Sequence, residues 1–514
     1  MNLRVTRFGT DYRVAAVSLG VFALLTSCAV APPAADSTGM AAYERAWTEA
    51  GRAADADPEA AFHQEVTLIE SPLFAQEQES ARHDHLLQAA RLGMRMKDAA
   101  AAHPLFVRST ALPEAGNEDW EGRFESSFGI KDEDDASFAL TRLATRWPSS
   151  LSRYRTEVVE RLALRSAPNR QVREIRFELR WALFQMDWRT VYGVVPSGIW
   201  GALTEELVEK GRIAEALGVL PHVHSPRKLL SMQIDKRFDV LTRKAPEAFD
   251  IEAAAKREVE DWRAAAMNNP RALDAAVQLS YAYIDVGRYS EAYQITQDVL
   301  ARLDHGVAFK SVYDDDETSL NWIYGNRSTV LMLLQNWVEA EQAMRAAAER
   351  REHEQINVSN VINLAQYLAD QGRGDDALEE LKRLPEFSPN ITPYGKMEWH
   401  AAQLGAAVAK GDIALAATAL QFLRVHKTDA PMTYQSSLVR ADYTNEAVRW
   451  LLQRLRDPNL RNGALLQVQI YSDPGAPPEL QREREKWRQL VLRDDVQDAI
   501  NAVGRVKLVA LPSP

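Results

Sequence analysis

The chain holds one cysteine in 514 residues, Cys28, so nothing beyond it can form an internal disulfide. Side-chain packing alone has to hold the fold, and thiol catalysis has no candidate past that position. Long apolar runs are equally scarce. The uncharged, mostly apolar stretch from Val14 to Leu25 falls short of the roughly 20 residues that span a bilayer, and no other run approaches that length. Glycine-rich phosphate loops, a Gly-x-Ser-x-Gly elbow and a dinucleotide fingerprint are all missing. Basic residues are outnumbered, 61 Lys and Arg against 72 Asp and Glu, for a net charge of −11. An acidic surface repels phosphate backbones, which argues against a nucleic-acid partner.

What is present begins at the N-terminus. Arg4, Arg7 and Arg13 precede the apolar run, the order of a basic and then an apolar signal-peptide region. The run ends in Leu25-Thr26-Ser27-Cys28, which resembles the lipobox of bacterial lipoproteins. That resemblance implies a signal peptide over residues 1–27, cleavage before Cys28, a diacylglyceryl group on its thiol and acylation of the new amine. Each buried methylene contributes about 0.8 kcal/mol and one chain alone holds weakly, so several chains together make the attachment lasting. The family's inner-membrane retention signal is an aspartate after the cysteine. Here Ala29 follows, which implies an outer-membrane anchor facing the periplasm in a cell with two membranes.

Cleavage removes three arginines and one aspartate, and the net charge becomes −13. Residues 28–40, rich in Ala and Pro with Ser, Thr and Gly, predict a flexible tether. From Ala41 onward, apolar residues recur at spacings of three and four in blocks broken by Pro, Gly or Asp, the pattern of successive amphipathic helices. The predicted class is all-α. The weak alternation of Leu465–Tyr471 and the tail Arg505–Leu511 are expected to make no sheet.

Four segments carry glycine and alanine five residues apart: Gly211 with Ala216, Gly287 with Ala292, Gly372 with Ala377, and Gly411 with Ala416. Trp200, Leu203 and Leu207 precede the first glycine, while Leu279, Ser280 and Tyr283 precede the second. Two further units keep Ala340 and Ala447 but place Gln335 and Asp442 at the turn. The pattern resembles the tetratricopeptide repeat, a helix-turn-helix unit of about 34 residues. The resemblance implies an α-solenoid of TPR-like repeats over 196–457, with a divergent helical region over 41–195 and capping helices and a tail over 458–514. Helical blocks are expected at Arg82–Ala101, Ala136–Arg146 and Tyr154–Leu164.

By position in the repeat, the concave groove would present Tyr281, Asp285, Trp322, Asn326, Asn363, Gln366 and Asp370 to a protein or peptide partner in the cell envelope. The aromatics among them can equally serve as packing. His83 with His85 and His222 with His224 are close histidine pairs, but neither has a recognisable third ligand. No metal and no cofactor is expected. Asp132–Asp135 and Asp314–Glu317 lack the ligand alternation of a calcium loop and read as solvated loops, the second a candidate flap beside the groove. Glu70-Ser71 runs into Pro72 without the continuation of a peptidoglycan lytic enzyme. The sequence therefore favours a non-enzymatic, membrane-anchored scaffold or adaptor. A regulator of a cell-wall enzyme and an envelope hydrolase are the alternatives.

The lipobox makes a direct prediction. Labelled palmitate fed to an expressing bacterium should enter the chain, and Cys28→Ser should yield an unlabelled precursor that keeps its signal.

Overall fold

The computed structural model describes residues 37–511 apart from 166, 168, 304–306, 316, 353–354, 385–390, 473–474 and 510. Cys28 and its lipobox lie outside the described residues. The described chain is almost entirely helical and divides into two compact units, one ending at Val191 and the other running from Tyr192.

One turn recurs through both units. Among the described residues, nine hold φ between 50° and 78° at the joint between a helix and the next segment: Lys97, Lys131, Asp187, Gly211, Gly287, Gln335, Gly372, Gly411 and Asp442. At each, the turn residue's N–H donates to the carbonyl three back, and the following N–H donates to the carbonyl five back, at 2.8 to 3.3 Å. This Schellman pair satisfies the last carbonyls of the first helix. Glycine suits the left-handed φ because it has no Cβ. Gln335 and Asp442 adopt it as the sequence predicts.

Five residues after every one of these turns except Asp187, where Tyr192 stands, comes an alanine. Ala102, Ala136, Ala216, Ala292, Ala340, Ala377 and Ala447 have no exposed surface, whereas Ala416 is half-buried. The residue twelve earlier on the first helix is small and buried in five of these units: Ala90, Thr204, Ser280, Ser328 and Ala365. Two small residues facing each other let the helix backbones approach, and larger apolar side chains fill the space on either side.

The first unit thus contains the same hairpins as the second. Glu79–Arg95 with Ala99–Ser109, and Asn117–Gly129 with Glu133–Arg146, turn at Lys97 and Lys131. The expected single block Arg82–Ala101 is therefore two helices, broken where Lys97 takes the left-handed conformation. Helix Ser37–Ala53 takes in the last four residues of the expected tether. Tyr43, Trp47, Phe62, Leu105 and Phe106 belong to its core.

Asp132–Asp135 is not a loop. The Asp132 carboxylate caps helix Glu133–Arg146 by accepting the Asp135 N–H at 3.0 Å, and three further acids fill the first turn, where the helix dipole favours them. Asp134 pairs with the buried Arg176 at 2.7 Å, and Asp135 pairs with Arg123. Arg176 and Arg180 also donate to the carbonyls of Arg165 and Ala163, closing the C-terminal end of helix Thr156–Leu164.

In the second unit, first helices of successive hairpins lie side by side: Val358–Asp370 against Pro393–Lys410, and that against Pro431–Arg440. The chain end then returns. Arg461–Gln467 packs on Pro226–Ile234, and the Arg505 N–H donates to the Ile234 carbonyl at 3.0 Å. Leu230 and Ile234 share one hydrophobic cluster with Leu465, Ile500 and Val509. Ile470–Tyr471 pairs in parallel with Leu508–Val509, so the two stretches expected to form no sheet do form a ladder of two residues each. A second short ladder joins Arg351–Glu352 to Gln355–Ile356.

Lys97→Gly should raise the stability of the first unit by about 0.5–1 kcal/mol, since relief of left-handed strain outweighs the added chain entropy. Ala102→Leu should lower it by about 1–3 kcal/mol through overpacking. Urea denaturation checks both.

Candidate functional site

The return of the C-terminal segment walls the inner face of the second unit. A cavity of about 430 Å³ lies between the first helices and helix Pro478–Val491. Gln366, Asp370, Glu398, Thr433 and Arg440 come from three successive first helices, and Glu483, Trp487, Ile470 and Tyr471 come from the returning segment.

Arg440 binds the two sides together. Its Nη2 donates to Asp370 Oδ1 at 2.6 Å, and its Nε donates to Glu483 Oε2 at 2.7 Å. Burial on its own would release the proton, but the two carboxylates hold the guanidinium charged and push its pKa up. Burial raises Asp370 despite the arginine, with Glu483 adding to the rise. Asp370 is 1% exposed, and its Oδ2 is buried without a hydrogen-bond partner. Lys486 extends the junction by donating to Asp442 Oδ2 at 2.8 Å and to the Arg440 carbonyl at 2.9 Å.

Behind the cavity wall, Arg454 is buried, and burial alone lowers it to about 10. Its Nη1 donates to Gln467 Oε1, and the Gln467 amide donates in turn to the Met432 carbonyl at 3.2 Å.

A second cavity, of about 670 Å³, is lined by Gln233, Arg263, Asp285, Arg288 and Lys507 together with Leu230, Val259 and Leu508. Asp285 Oδ1 accepts Arg227 Nε at 3.0 Å and Nη2 at 2.7 Å. This pair raises the Arg227 pKa against the pull of burial.

The seven groove residues named from the sequence do not converge on one surface. Gln366 and Asp370 line the first cavity and Asp285 the second. Asn326 is 1% exposed, and its Nδ2 donates to the Val277 carbonyl at 3.3 Å, so it ties helix Leu320–Leu333 to helix Leu273–Asp285. Tyr281 and Trp322 are partly buried in the hydrophobic clusters between hairpins. Asn363 is half-buried beside Ser328 and Asn360.

Glu398, Arg440 and Glu483 escaped the sequence reading. Arg440 stands two residues before the Asp442 turn, as Asp285 does before Gly287 and Asp370 before Gly372, so the repeat carries a signal for it, whereas Glu398 is placed by the helices that flank it. Glu483 lies outside the repeats, and nothing in their pattern says where a capping helix folds.

The histidine pairs separate. His83 Nε2 meets Asp119 at 3.0 Å, while His85 stacks on Trp47 and bonds Glu77. His224 bonds Asp261 at 2.7 Å. Among the described residues no three His, Cys, Asp or Glu gather as a metal site. None of the described helices is long and apolar enough to cross a membrane. Asp314 pairs with Arg271 at 2.6 Å, and Asp315 accepts the Leu273 N–H, so these two carboxylates are tied down and are not a free flap.

No family model matches the chain, and no curated protein matches it in sequence. Among solved structures it is similar to the Cut9–Hcn1 hetero-tetramer of the APC/C, at 12% identity over 91% of this chain and 94% of that one, with a TM-score of 0.29. A Rap protein complexed with competence and sporulation factor matches at 13% identity over 88% and 100%, with a TM-score of 0.29. The TPR domain of P58(IPK) matches at 12% identity over 81% and 100%, with a TM-score of 0.21. At such scores the fold class rests on the hairpins and their turns: the chain is an all-α, TPR-like solenoid.

Arg440→Met should destabilise the second unit by about 3–5 kcal/mol, because it leaves Asp370 and Glu483 buried without their counter-ion. Chemical denaturation at neutral pH gives the difference.

Proposed function

We propose that this chain is a lipid-anchored scaffold that faces the periplasm from the outer membrane and holds a protein partner of an envelope assembly on the inner face of its repeats. Two independent features support the reading. The first 28 residues resemble a lipoprotein signal, and the described chain is a helical-repeat array. Arrays of this kind commonly bind along the face lined by successive first helices.

The observation that carries the binding half is the cavity of about 430 Å³ on that face, lined by mixed apolar and polar side chains. Its size falls in the range of roughly 300–1,000 Å³ typical of ligand sites. Asp370 and Glu483 are both engaged by Arg440, an arrangement that fixes two elements together.

Crosslinking in intact cells, followed by detergent extraction, tests the proposal. One or a few envelope proteins should be recovered in fixed ratio with the chain, and Cys28→Ser should lose them together with the membrane fraction. Repeated recovery of the chain alone would contradict the scaffold reading. Recovery with the cytosolic fraction of the unaltered chain would contradict the anchor.

A further inference from the structure

Glu398 stands near the start of helix Pro393–Lys410, on the wall of the first cavity. It is held from both flanking first helices. Gln366 Nε2 donates to its Oε2 at 3.0 Å, and Thr433 Oγ1 donates to its Oε1 at 2.6 Å. Both donors are neutral, and among the described residues no cation forms an ion pair with this carboxylate. The cavity's other two carboxylates differ, since Asp370 and Glu483 share Arg440. Arg484 and Arg488 belong to helix Pro478–Val491, where Arg488 is engaged by Glu485 at 2.7 Å and Arg484 has interactions of its own.

The rest of the wall alternates polar groups, Ser436, Gln467, Gln469, Arg484 and Arg488, with apolar ones. Ile470, Tyr471, Trp487 and Leu492 contribute to it, with Ile470 57% and Leu492 74% exposed. A carboxylate oriented in advance by neutral donors, beside apolar surface still open to water, suits a cation on a hydrocarbon stem. The head would gain a charge-assisted hydrogen bond, and the stem would cover side chains that water now wets. The net charge of −13 after cleavage favours the approach of a basic segment to the protein.

We propose that the cavity takes a lysine or arginine side chain of the partner, with the cationic head on Glu398 and the methylene stem along the Tyr471–Trp487 wall. This deepens the scaffold reading and rests on it: it gives the chemistry of the segment that the inner face holds.

The test is direct binding of capped tripeptides to the full-length chain in detergent, read by calorimetry. The probes are Leu-Lys-Leu and its norleucine and glutamate counterparts. The lysine peptide should bind about tenfold or more tighter than the norleucine one, the scale of a single charge-assisted contact. Glu398→Gln should erase that preference, and Thr433→Val should weaken it by releasing one side of the carboxylate. Circular dichroism confirms that each variant folds, and if Glu398→Gln does not, the Thr433→Val result decides. Equal affinity for the three peptides, binding to none, or a lysine preference unchanged in the variants would overturn the proposal. The assay needs no envelope component, so its outcome is independent of the crosslinking result.

Discussion

Arg505 and Gln233 stand 272 residues apart and share a hydrogen bond, and the organisation of the second unit follows from that return of the chain. Around it, Arg505 pairs with Asp239 at 2.6 Å, Lys507 donates to Gln233 Oε1 at 2.8 Å, and Lys236 donates to the Asn501 carbonyl. Closing so long a loop costs little more than closing one of half the length, because the entropy grows only with the logarithm of loop size. Burial of Leu230 and Ile234 in one cluster with Leu465, Ile500 and Val509 offsets it. The polar contacts set the register and the apolar ones supply most of the free energy. An open solenoid presents its first helices to solvent along its whole length. Here the returning segment covers part of that face and turns the remainder into cavities.

The junction is made costly to rearrange by where its charges lie. Arg440 sits between a first helix and the capping helix with a carboxylate on each side, and all three groups are largely buried. Such a cluster adds little net stability relative to apolar packing, but a wrong alignment would leave a buried charge unpaired. That penalty selects one arrangement. Glu398 is the contrasting case: its neutral partners orient the carboxylate without cancelling its charge.

Much of this fold is legible in the string because it depends on local chemistry. Gly211, Gly287, Gly372 and Gly411 announce their turns, and Gln335 and Asp442 follow from the alanine five positions on. The same rule applied without the glycine finds Lys97 with Ala102 and Lys131 with Ala136, 34 residues apart, so the hairpins of the first unit carry the alanine half of the signal without its glycine. Asp132–Asp135 reads as a loop only if its acids are taken as solvated, and the capping role of Asp132 explains why acids gather there. The site is less legible. Asn326 and Asp370 occupy groove positions, but neighbouring elements decide that one is a buried tie and the other half of an ion pair. Glu398 and Glu483 meet one cavity through the packing of neighbouring first helices and a returning cap, neither of which has a local signature.

The closure is the claim on which the cavities and their chemistry depend. Hydrogen exchange at the Arg505 amide, followed by NMR or mass spectrometry on the native chain, tests it most directly. If the chain end is part of the second unit's core, that amide exchanges only when the unit unfolds, at the rate of the helix amides around Leu438 and Leu451. Exchange at the rate of an unstructured peptide, while those helices stay protected, would show an open array with no walled inner face.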